Sequence, residues 1–246
     1  MNKLAIQSYC FRHFKDNARV AELLKECGVD AVELCRVHVD FRDEAAVADA
    51  CKVYGEAGIQ IVGIGVERFS DDESGGRRVF DAARRFGTNL ISADFDLGAV
   101  PAAYRVVEGL ADEFGMRAGI HNHGARHWLG SADMLKHVFG QTSDRIGLCL
   151  DTAWALDSRL DPVRVAEQFM DRLCSLHLKD FVFDRAGKPE DVVLGEGNLD
   201  LAGMFAVLQA GQWRGPLTIE YEGDVEDPVP ALKECVAAVR AHQSGG

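Results

Sequence analysis

Four side chains that can bind a divalent metal stand at the ends of the last four apolar runs of the chain. They are His121 in AGIHNH, Asp151 in GLCLDT, His177 in SLHLKD and Glu220 in LTIEYE. Each run is typical of a short buried strand, so we expect the strands to bring these side chains to one ion. Two imidazoles and two carboxylates form a mixed nitrogen and oxygen set, which suits Mn, Co, Fe, Zn or Ni better than Ca.

Each of these residues also has an ordinary structural explanation. A single His at a strand end often makes only a hydrogen bond, and a single Asp before a helix is often an N-cap. The same position on four successive strands favours metal binding over those explanations. His123 is a further candidate, as a fifth ligand, a substrate contact or a hydrogen-bond partner of its neighbours.

The elements that must position these residues alternate along the chain. Apolar runs rich in Val, Ile and Leu predict strands at Leu4–Cys10, Ala31–Cys35, Ile59–Val66, Asn89–Ala93, Arg117–His121, Ile146–Asp151, Cys174–Leu178 and Leu217–Tyr221. Helical spacing predicts helices at Ala18–Cys27, Glu44–Ala57, Ser74–Phe86, Pro101–Phe114, Ser131–Phe139, Pro162–Leu173, Leu201–Ala210 and Val229–His242. Glycine follows several of these helices, as expected of helix C-termini: Gly28, Gly58, Gly87, Gly115 and Gly211.

This alternation predicts an α/β fold, a closed (β/α)8 TIM barrel, with an open doubly wound sheet as the alternative. The polar strand ends are spread over many strands, which favours the closed ring. No linker, charge block or low-complexity segment divides the chain, so we predict one domain over residues 1–246. In a barrel the carboxyl ends of all strands open onto one face, and the active site is built there.

The composition narrows the choice of partners. A formal net charge of −12 argues against binding a nucleic-acid backbone, which relies on clustered Lys and Arg. No apolar stretch approaches the roughly 20 residues of a membrane span. The N-terminus enters a strand without the features of a secretory signal, and the seven cysteines include no CxxC pair. We therefore expect a cytoplasmic protein without membrane or nucleic-acid partners.

At these motifs the chain resembles the sugar phosphate isomerase/epimerase superfamily, the xylose isomerase-like barrels that include tagatose epimerases, inosose dehydratases and endonuclease IV. The likeness covers nearly the whole chain and is strongest at residues 121–124, 150–153, 176–180, 195–200 and 215–222. It implies one divalent metal held by a Glu, an Asp, a His and a Glu. Asp151, His177 and Glu220 match this set, whereas His121 stands in place of the first glutamate. His121 can bind a metal but cannot be a carboxylate base.

The resemblance implies a divalent-metal-dependent isomerase or epimerase that acts on a sugar, keto-sugar or sugar phosphate through an enediolate intermediate. Two departures argue against a direct copy of an epimerase: the missing glutamate, and Trp154, which stands where the epimerases have a substrate-binding His. A metal-dependent dehydratase-type lyase acting on a keto-sugar or inosose is therefore the alternative. Weaker alternatives are an endonuclease IV-like nuclease, which needs more metal ligands and a basic groove, and a non-catalytic sugar-binding barrel.

Three residues are candidates for proton transfer. Glu220 is the first candidate for the base, and His123 and Glu33 are the others. Glu33 ends the second predicted strand, where an ion pair inside the barrel, with Arg36 as one partner, is the alternative explanation.

Further side chains are predicted to bind the substrate, a small carbohydrate. Lys179 is expected to hold a hydroxylate, carboxylate or phosphate, or else to form a salt bridge with a neighbouring carboxylate such as Asp180. Trp154, Glu67 and His38 are predicted to line the mouth, with packing or solvation as the alternative. Gly195-Glu196-Gly197 is weak evidence for a phosphate loop, and we predict a rim loop instead. Related barrels often form homo-oligomers, which is therefore possible here.

Overall fold

A closed ring of parallel strands forms the centre of the computed structural model, which describes residues 2–244. The strands, in chain order, are β1 (Leu4–Gln7), β2 (Ala31–Leu34), β3 (Gln60–Phe69), β4 (Leu90–Phe95), β5 (Arg117–His121), β6 (Ile146–Asp151), β7 (Leu173–Leu178), β8 (Asp180–Phe183), β9 (Pro189–Val192) and β10 (Leu217–Ile219). Eight of them close the ring in the order β1-β10-β7-β6-β5-β4-β3-β2, whereas β8 and β9 pair as an antiparallel hairpin. The predicted (β/α)8 TIM barrel is confirmed.

Helices cover the outside of this ring. Within residues 2–244 they are α1 (Asn17–Glu26), α2 (Glu44–Ala57), α3 (Glu73–Phe86), α4 (Ala102–Phe114), α5 (Ala132–Phe139), α6 (Thr152–Asp157), α7 (Pro162–Gln168), α8 (Leu201–Ala210) and α9 (Val229–Ser244). Short 3-10 turns occupy Ser8–Phe11, Leu97–Ala99 and Met170–Arg172. Among the described residues, no helix is both long and apolar enough to cross a membrane.

The hydrophobic core explains why the ring strands are so apolar. Six of them are buried at every position, because one face packs against the helices and the other fills the barrel. The barrel interior also contains polar residues near the carboxyl ends, including Glu33, Ser92, His177 and Thr218, which are fully buried. These polar groups require partners inside the protein, since water does not reach them.

Several predicted boundaries shift in the structure. β1 ends at Gln7 because the Gln7 side chain accepts a hydrogen bond from the Tyr9 amide and starts a 3-10 turn. β3 and β4 run on to Phe69 and Phe95, beyond their predicted ends, and stay paired there. The helix predicted up to Leu173 ends at Gln168, followed by the third 3-10 turn. The sequence did not predict α6 or the β8–β9 hairpin.

Candidate metal centre

The four strand-end candidates meet at the carboxyl-terminal mouth of the barrel. One nitrogen or oxygen atom from each lies within 4.8 Å of the others, and all four side chains are buried; we call these residues the ligand cluster: His121, Asp151, His177 and Glu220. Their strands, β5, β6, β7 and β10, are consecutive in the ring, with Glu220 directly after β10. Asp151 and His177 are paired in register, so their side chains leave the sheet at the same height.

Five buried atoms of the ligand cluster have no hydrogen-bond partner: Nδ1 and Nε2 of His121, Oδ2 of Asp151, Nδ1 of His177 and Oε2 of Glu220. His121 Nε2 lies 3.6 Å from Asp151 Oδ2 and 3.8 Å from Glu220 Oε2. His177 Nδ1 lies 2.7 Å from Glu220 Oε2, but not in hydrogen-bonding geometry. An unsatisfied buried polar group costs roughly 1–3 kcal/mol, and a shared divalent ion would satisfy one such atom from each of the four residues together. The donor set therefore fits a metal.

A buried carboxylate fixes the orientation of the His177 ring. His177 Nε2 donates to Glu33 Oε2 at 2.9 Å, and Glu33 also accepts from Ser92 Oγ at 2.6 Å and Thr218 Oγ1 at 3.2 Å. Burial opposes ionisation of Glu33, but His177 and the hydrogen bonds outweigh it and lower its pKa. The proton of the neutral ring therefore sits on Nε2, which leaves the Nδ1 lone pair for the cluster. Glu33 lies beneath the ligands and does not line the mouth.

Asp151 is both a helix cap and a member of the ligand cluster. Its Oδ1 accepts a hydrogen bond of 2.8 Å from the Trp154 amide at the start of α6, while Oδ2 stays free. Asn122 holds the Asp151 backbone on both sides, with its Nδ2 donating to the carbonyl at 2.9 Å and its Oδ1 accepting from the amide at 2.8 Å. The cap and the ligand interpretations of Asp151 are thus compatible.

The two histidines of β5 and its following loop differ in charge. Burial disfavours protonation of His121, but Asp151 and Glu220 outweigh it and raise the pKa of His121 to about 10. Burial, together with the charge on His121, lowers the pKa of His123 to about 4. His123 is therefore a neutral imidazole at neutral pH, and its buried Nδ1 has no hydrogen-bond partner.

A cavity of about 320 Å³ opens above the ligand cluster. His121, His123 and Glu220 line one part of it, and the Trp154 ring forms part of its wall. We call this space the mouth cavity. Its further lining residues are Gln7, Tyr9, Cys35, Arg36, Val37, Gly65, Val66 and Glu222. A larger cavity, of about 420 Å³, lies at the amino-terminal face and contains none of the predicted site residues, so volume alone does not locate the chemistry.

Lys179 is buried beside the mouth cavity rather than in it. Its Nζ pairs with Glu222 Oε1, lies 3.8 Å from Asp191 Oδ1 and sits over the Trp154 and Phe181 rings at 5.3 and 5.4 Å. The predicted alternative, a salt bridge from Lys179 to a neighbouring carboxylate, is found, but its partners are Glu222 and Asp191 and not Asp180, which has other partners.

Those partners are backbone amides of the glycine-containing loop. Asp180 Oδ2 accepts from Gly195 at 3.1 Å and from Gly197 at 3.0 Å, and Oδ1 accepts from Leu199 at 2.9 Å. A Cβ atom at Gly197 would lie 2.3 Å from Asp180 Oδ1, so glycine is required there. The amides that a phosphate would need already bind a carboxylate of the chain.

Two other predicted substrate contacts lie near the mouth but do not line its cavity. Glu67 is fully buried, with Arg42 Nη1 at 2.6 Å and Arg36 Nε at 3.2 Å. The proposed ion pair between Arg36 and Glu33 is therefore wrong. His38 Nε2 donates to the Phe14 carbonyl at 2.9 Å, and its Nδ1 lies 3.2 Å from Ser8 Oγ. Burial lowers the pKa of His38.

A second group of possible ligands, which the sequence analysis missed, lies beside the first. Atoms of Asp94, His123 and His127 fall within 4.8 Å of one another. His127 Nδ1 accepts from the Leu129 amide at 3.2 Å, so the proton of the neutral ring sits on Nε2, 3.5 Å from Asp94 Oδ1. Arg68 also binds Asp94 at 2.9 Å. Hydrogen bonds and ion pairs within the protein thus explain the positions of Asp94 and His127 without a metal. The sequence feature that could have identified Asp94 is its position at a strand end, one residue after Ala93, the last residue of the predicted fourth strand.

Comparisons with known proteins agree with this fold. A model of the xylose isomerase-like TIM barrel family matches residues 21–242. No curated protein matches the chain by sequence. The probable 3-DHS dehydratase AsbF from Bacillus anthracis has a TM-score of 0.77 and 16% identity, covering 97% of this chain and 98% of its own. A xylose isomerase-like TIM barrel protein from Mycobacterium smegmatis in complex with magnesium has a TM-score of 0.76 and 15% identity, and the match covers 97% of this chain and 98% of that protein. The 3-keto-D-glucoside 4-epimerase YcjR from E. coli has a TM-score of 0.75 and 17% identity, and the match covers 98% of this chain and 100% of that protein.

Proposed function

This chain belongs to the xylose isomerase-like TIM barrel family, and we propose that it is a divalent-metal-dependent enzyme that isomerises or epimerises a sugar, keto-sugar or sugar phosphate. The observation that carries the proposal is the convergence of four buried side chains at the ends of four consecutive strands, each with a nitrogen or oxygen atom that has no hydrogen-bond partner. His121 and Glu220 of this cluster line a cavity of about 320 Å³, which is in the size range of small-molecule sites. The dehydratase and epimerase among the similar structures support carbohydrate chemistry.

The ligand cluster suits a divalent transition metal. The carboxylates of Asp151 and Glu220 would neutralise its charge, and the imidazoles of His121 and His177 supply the nitrogen donors that Mn, Fe, Co, Ni or Zn accept. Mg prefers oxygen ligands and retains several waters, so His121 in place of a carboxylate disfavours it here. When bound, the ion would supply Lewis-acid stabilisation of the negative charge that develops on a carbonyl oxygen.

His123 is the proton acceptor that we favour. It lines the mouth cavity, its Nδ1 has no hydrogen-bond partner and it is not one of the four cluster residues, so its ring can take a proton from the carbon next to a substrate carbonyl. Glu220 also lines the cavity, but a carboxylate shared with a cation is a weaker base than a free one. Glu33 is buried beneath the cluster and accepts three hydrogen bonds there, so we propose that it orients His177 and does not act as a base.

Removal of this proton gives an enediolate, and the fate of the enediolate decides the reaction. Protonation of the same carbon from the other face by a second group gives an epimer, and protonation of the former carbonyl carbon gives an isomer. Loss of a neighbouring hydroxyl gives the dehydratase outcome. We keep a dehydratase-type lyase as the second candidate, because His121 removes one of the two carboxylate bases that the resemblance implies for epimerases.

The first test is metal content. We expect one equivalent of a divalent transition metal per chain in carefully purified protein, and less than a tenth of that in His177→Ala or Asp151→Ala variants that remain folded. Glu190→Gln, which changes an exposed residue of the β8–β9 hairpin, is the control and should keep its metal. Wild-type protein that folds but takes up no transition metal would contradict the proposal and favour a non-catalytic barrel.

The second test is the carbon-acid chemistry. Metal-loaded protein should catalyse exchange of C–H protons of keto-sugars with deuterated water, followed by NMR. His123→Gln should lower the exchange rate at least tenfold without loss of bound metal, because general bases typically contribute about 10²–10⁴-fold. No exchange across a broad panel of keto-sugars, their acids and their phosphates would rule out the enediolate route.

A further inference from the structure

A guanidinium group faces the ligand cluster from the other side of the barrel mouth. Arg36 follows β2 and lines the mouth cavity, and its side chain is 54% exposed. In the eight-stranded ring, β2 is four strands away from β6 in either direction. Arg36 therefore lies opposite Asp151, and a molecule held at the cluster would extend toward it across the mouth.

The charge of Arg36 is only partly used inside the protein. It shares the buried Glu67 carboxylate with Arg42, whose Nη1 makes the closer contact, 2.6 Å from Oε2. Arg36 approaches the other oxygen through Nε alone, at 3.2 Å. Two guanidinium groups and one carboxylate leave one net positive charge. The contact to Nε orients the side chain, and its two terminal nitrogens make no hydrogen bond or ion pair within residues 2–244.

The other charged side chains near the cavity have partners within the protein. Glu222 lines the cavity but pairs with Lys179, which is buried behind it and also lies near Asp191. Glu220 belongs to the ligand cluster. Of the described residues that line the mouth cavity, Arg36 is the sole Lys or Arg. An otherwise acidic protein, with a formal net charge of −12, thus presents at this site a cation that is only partly neutralised by the carboxylate it shares with Arg42.

We propose that Arg36 binds an anionic group of the substrate, a carboxylate or a phosphate at the end of the carbon chain remote from the reacting carbonyl. This inference rests on the proposed function, since the ligand cluster is taken to hold the carbonyl end. The planar guanidinium fork can donate two parallel hydrogen bonds to either oxyanion. Gln7 and Tyr9, which line the same side of the cavity, can contribute neutral donors. The substrate class is thereby a sugar acid or a sugar phosphate rather than a neutral sugar.

The inference is tested by binding rather than by turnover. Metal-loaded protein is titrated in a calorimeter with three compounds of related skeleton: D-fructose, D-fructose 6-phosphate and 5-keto-D-gluconate. We expect at least one anionic compound to bind at least tenfold more tightly than fructose. The identity of that compound distinguishes phosphate from carboxylate.

Substitutions then assign the preference to one side chain. Arg36→Gln should weaken binding of the preferred anion at least tenfold and leave fructose binding unchanged. The anion affinity of Arg36→Lys should lie between those of the wild type and Arg36→Gln, because lysine keeps the charge but lacks the planar guanidinium fork. Arg105→Gln removes the same charge from an exposed position of α4 and should change neither affinity.

Three outcomes would overturn the inference. They are equal affinity for neutral and anionic compounds, no binding of either anion, and an anion preference that survives in Arg36→Gln, which would place the anion on the metal instead. Deuterium exchange of neutral keto-sugars without any anion preference would leave the proposed function intact and this inference wrong. An anion preference that depends on Arg36, without deuterium exchange of any compound, would support the anion site and contradict the proposed enediolate chemistry.

Discussion

At His177, one hydrogen bond decides which ring nitrogen is available to an ion. Glu33 accepts from Nε2 at 2.9 Å, so in the neutral ring Nδ1 carries the lone pair, 2.7 Å from Glu220 Oε2. A ligand whose tautomer is already fixed loses less freedom on binding, and such partners typically change metal affinity about 10–100-fold.

We therefore expect Glu33→Gln to keep the fold and weaken metal binding roughly 10–100-fold. The amide keeps the shape of the carboxylate, but it cannot accept from both Ser92 and His177 through two oxygens. Competition with a chromophoric chelator would measure the change, with Glu190→Gln as the control for loss of one carboxylate. Unchanged metal affinity in Glu33→Gln would mean that His177 orientation does not depend on Glu33.

His38 gives a stability prediction with a defined sign. Burial lowers its pKa in the folded protein, so the folded state resists protonation more than the unfolded state, whose pKa is near 6.5. The contribution of neutral His38 to stability is complete above about pH 6.5 and is lost as the pH falls through the lowered folded-state pKa.

Urea unfolding at about pH 7.5 and about pH 5.5 tests this prediction, since the two conditions bracket the unfolded-state pKa. The stability difference between wild type and His38→Gln should shrink at the lower pH. His137→Gln, at an exposed helix position, should show the same small difference at both. A difference that grows on acidification would reverse the assigned sign.

At the scale of elements, the β8–β9 hairpin and the loop after it are held by one carboxylate. Asp180 accepts hydrogen bonds from three backbone amides of residues 195–199 and so fixes the path of the chain from β9 to α8. The loop packs Leu194 and Leu199 into the core, so its position affects stability as well as the rim.

Asp180→Asn should destabilise the protein by roughly 2–3 kcal/mol, because a charged acceptor is lost and an amide N–H₂ is turned toward backbone N–H groups. Urea unfolding would measure the loss. Glu196→Gln, an exposed change in the same loop, should stay within about 0.5 kcal/mol of wild type. Equal stability of Asp180→Asn and Glu196→Gln would mean that the loop does not depend on the carboxylate.

The strand pattern explains what the sequence could and could not predict. His121, Asp151, His177 and Glu220 were predictable as neighbours, because each ends an apolar run and parallel strands align their carboxyl ends. The Glu33–His177 hydrogen bond joins residues 144 positions apart and depends on barrel closure, which no local pattern reveals. The partners of Lys179 lie on the unpredicted hairpin and beyond β10, and Asp94 was missed because its strand runs further than its apolar run.

At the scale of the whole molecule, a bound ion would join four strands that are far apart in sequence. Ligands that bind only the folded state stabilise it by about 2.7 kcal/mol at a hundredfold excess over Kd, which is roughly 5–11 °C in Tm for a chain of this size. We expect a shift of this size on adding the preferred metal to stripped protein, measured by calorimetry. His177→Ala should lose the shift, Glu190→Gln should keep it, and an equal shift in both would place the ion elsewhere.

The ring order has a consequence for how such a protein can change. The ligand cluster occupies β5, β6, β7 and β10, which adjoin one another and make up one half of the barrel. The loops after β1, β2, β3 and β4 carry none of those four residues, so they can acquire new side chains while the chemistry stays in place. Exchange of these loops between relatives is therefore the route by which one reaction would be redirected to new molecules, in evolution or by engineering.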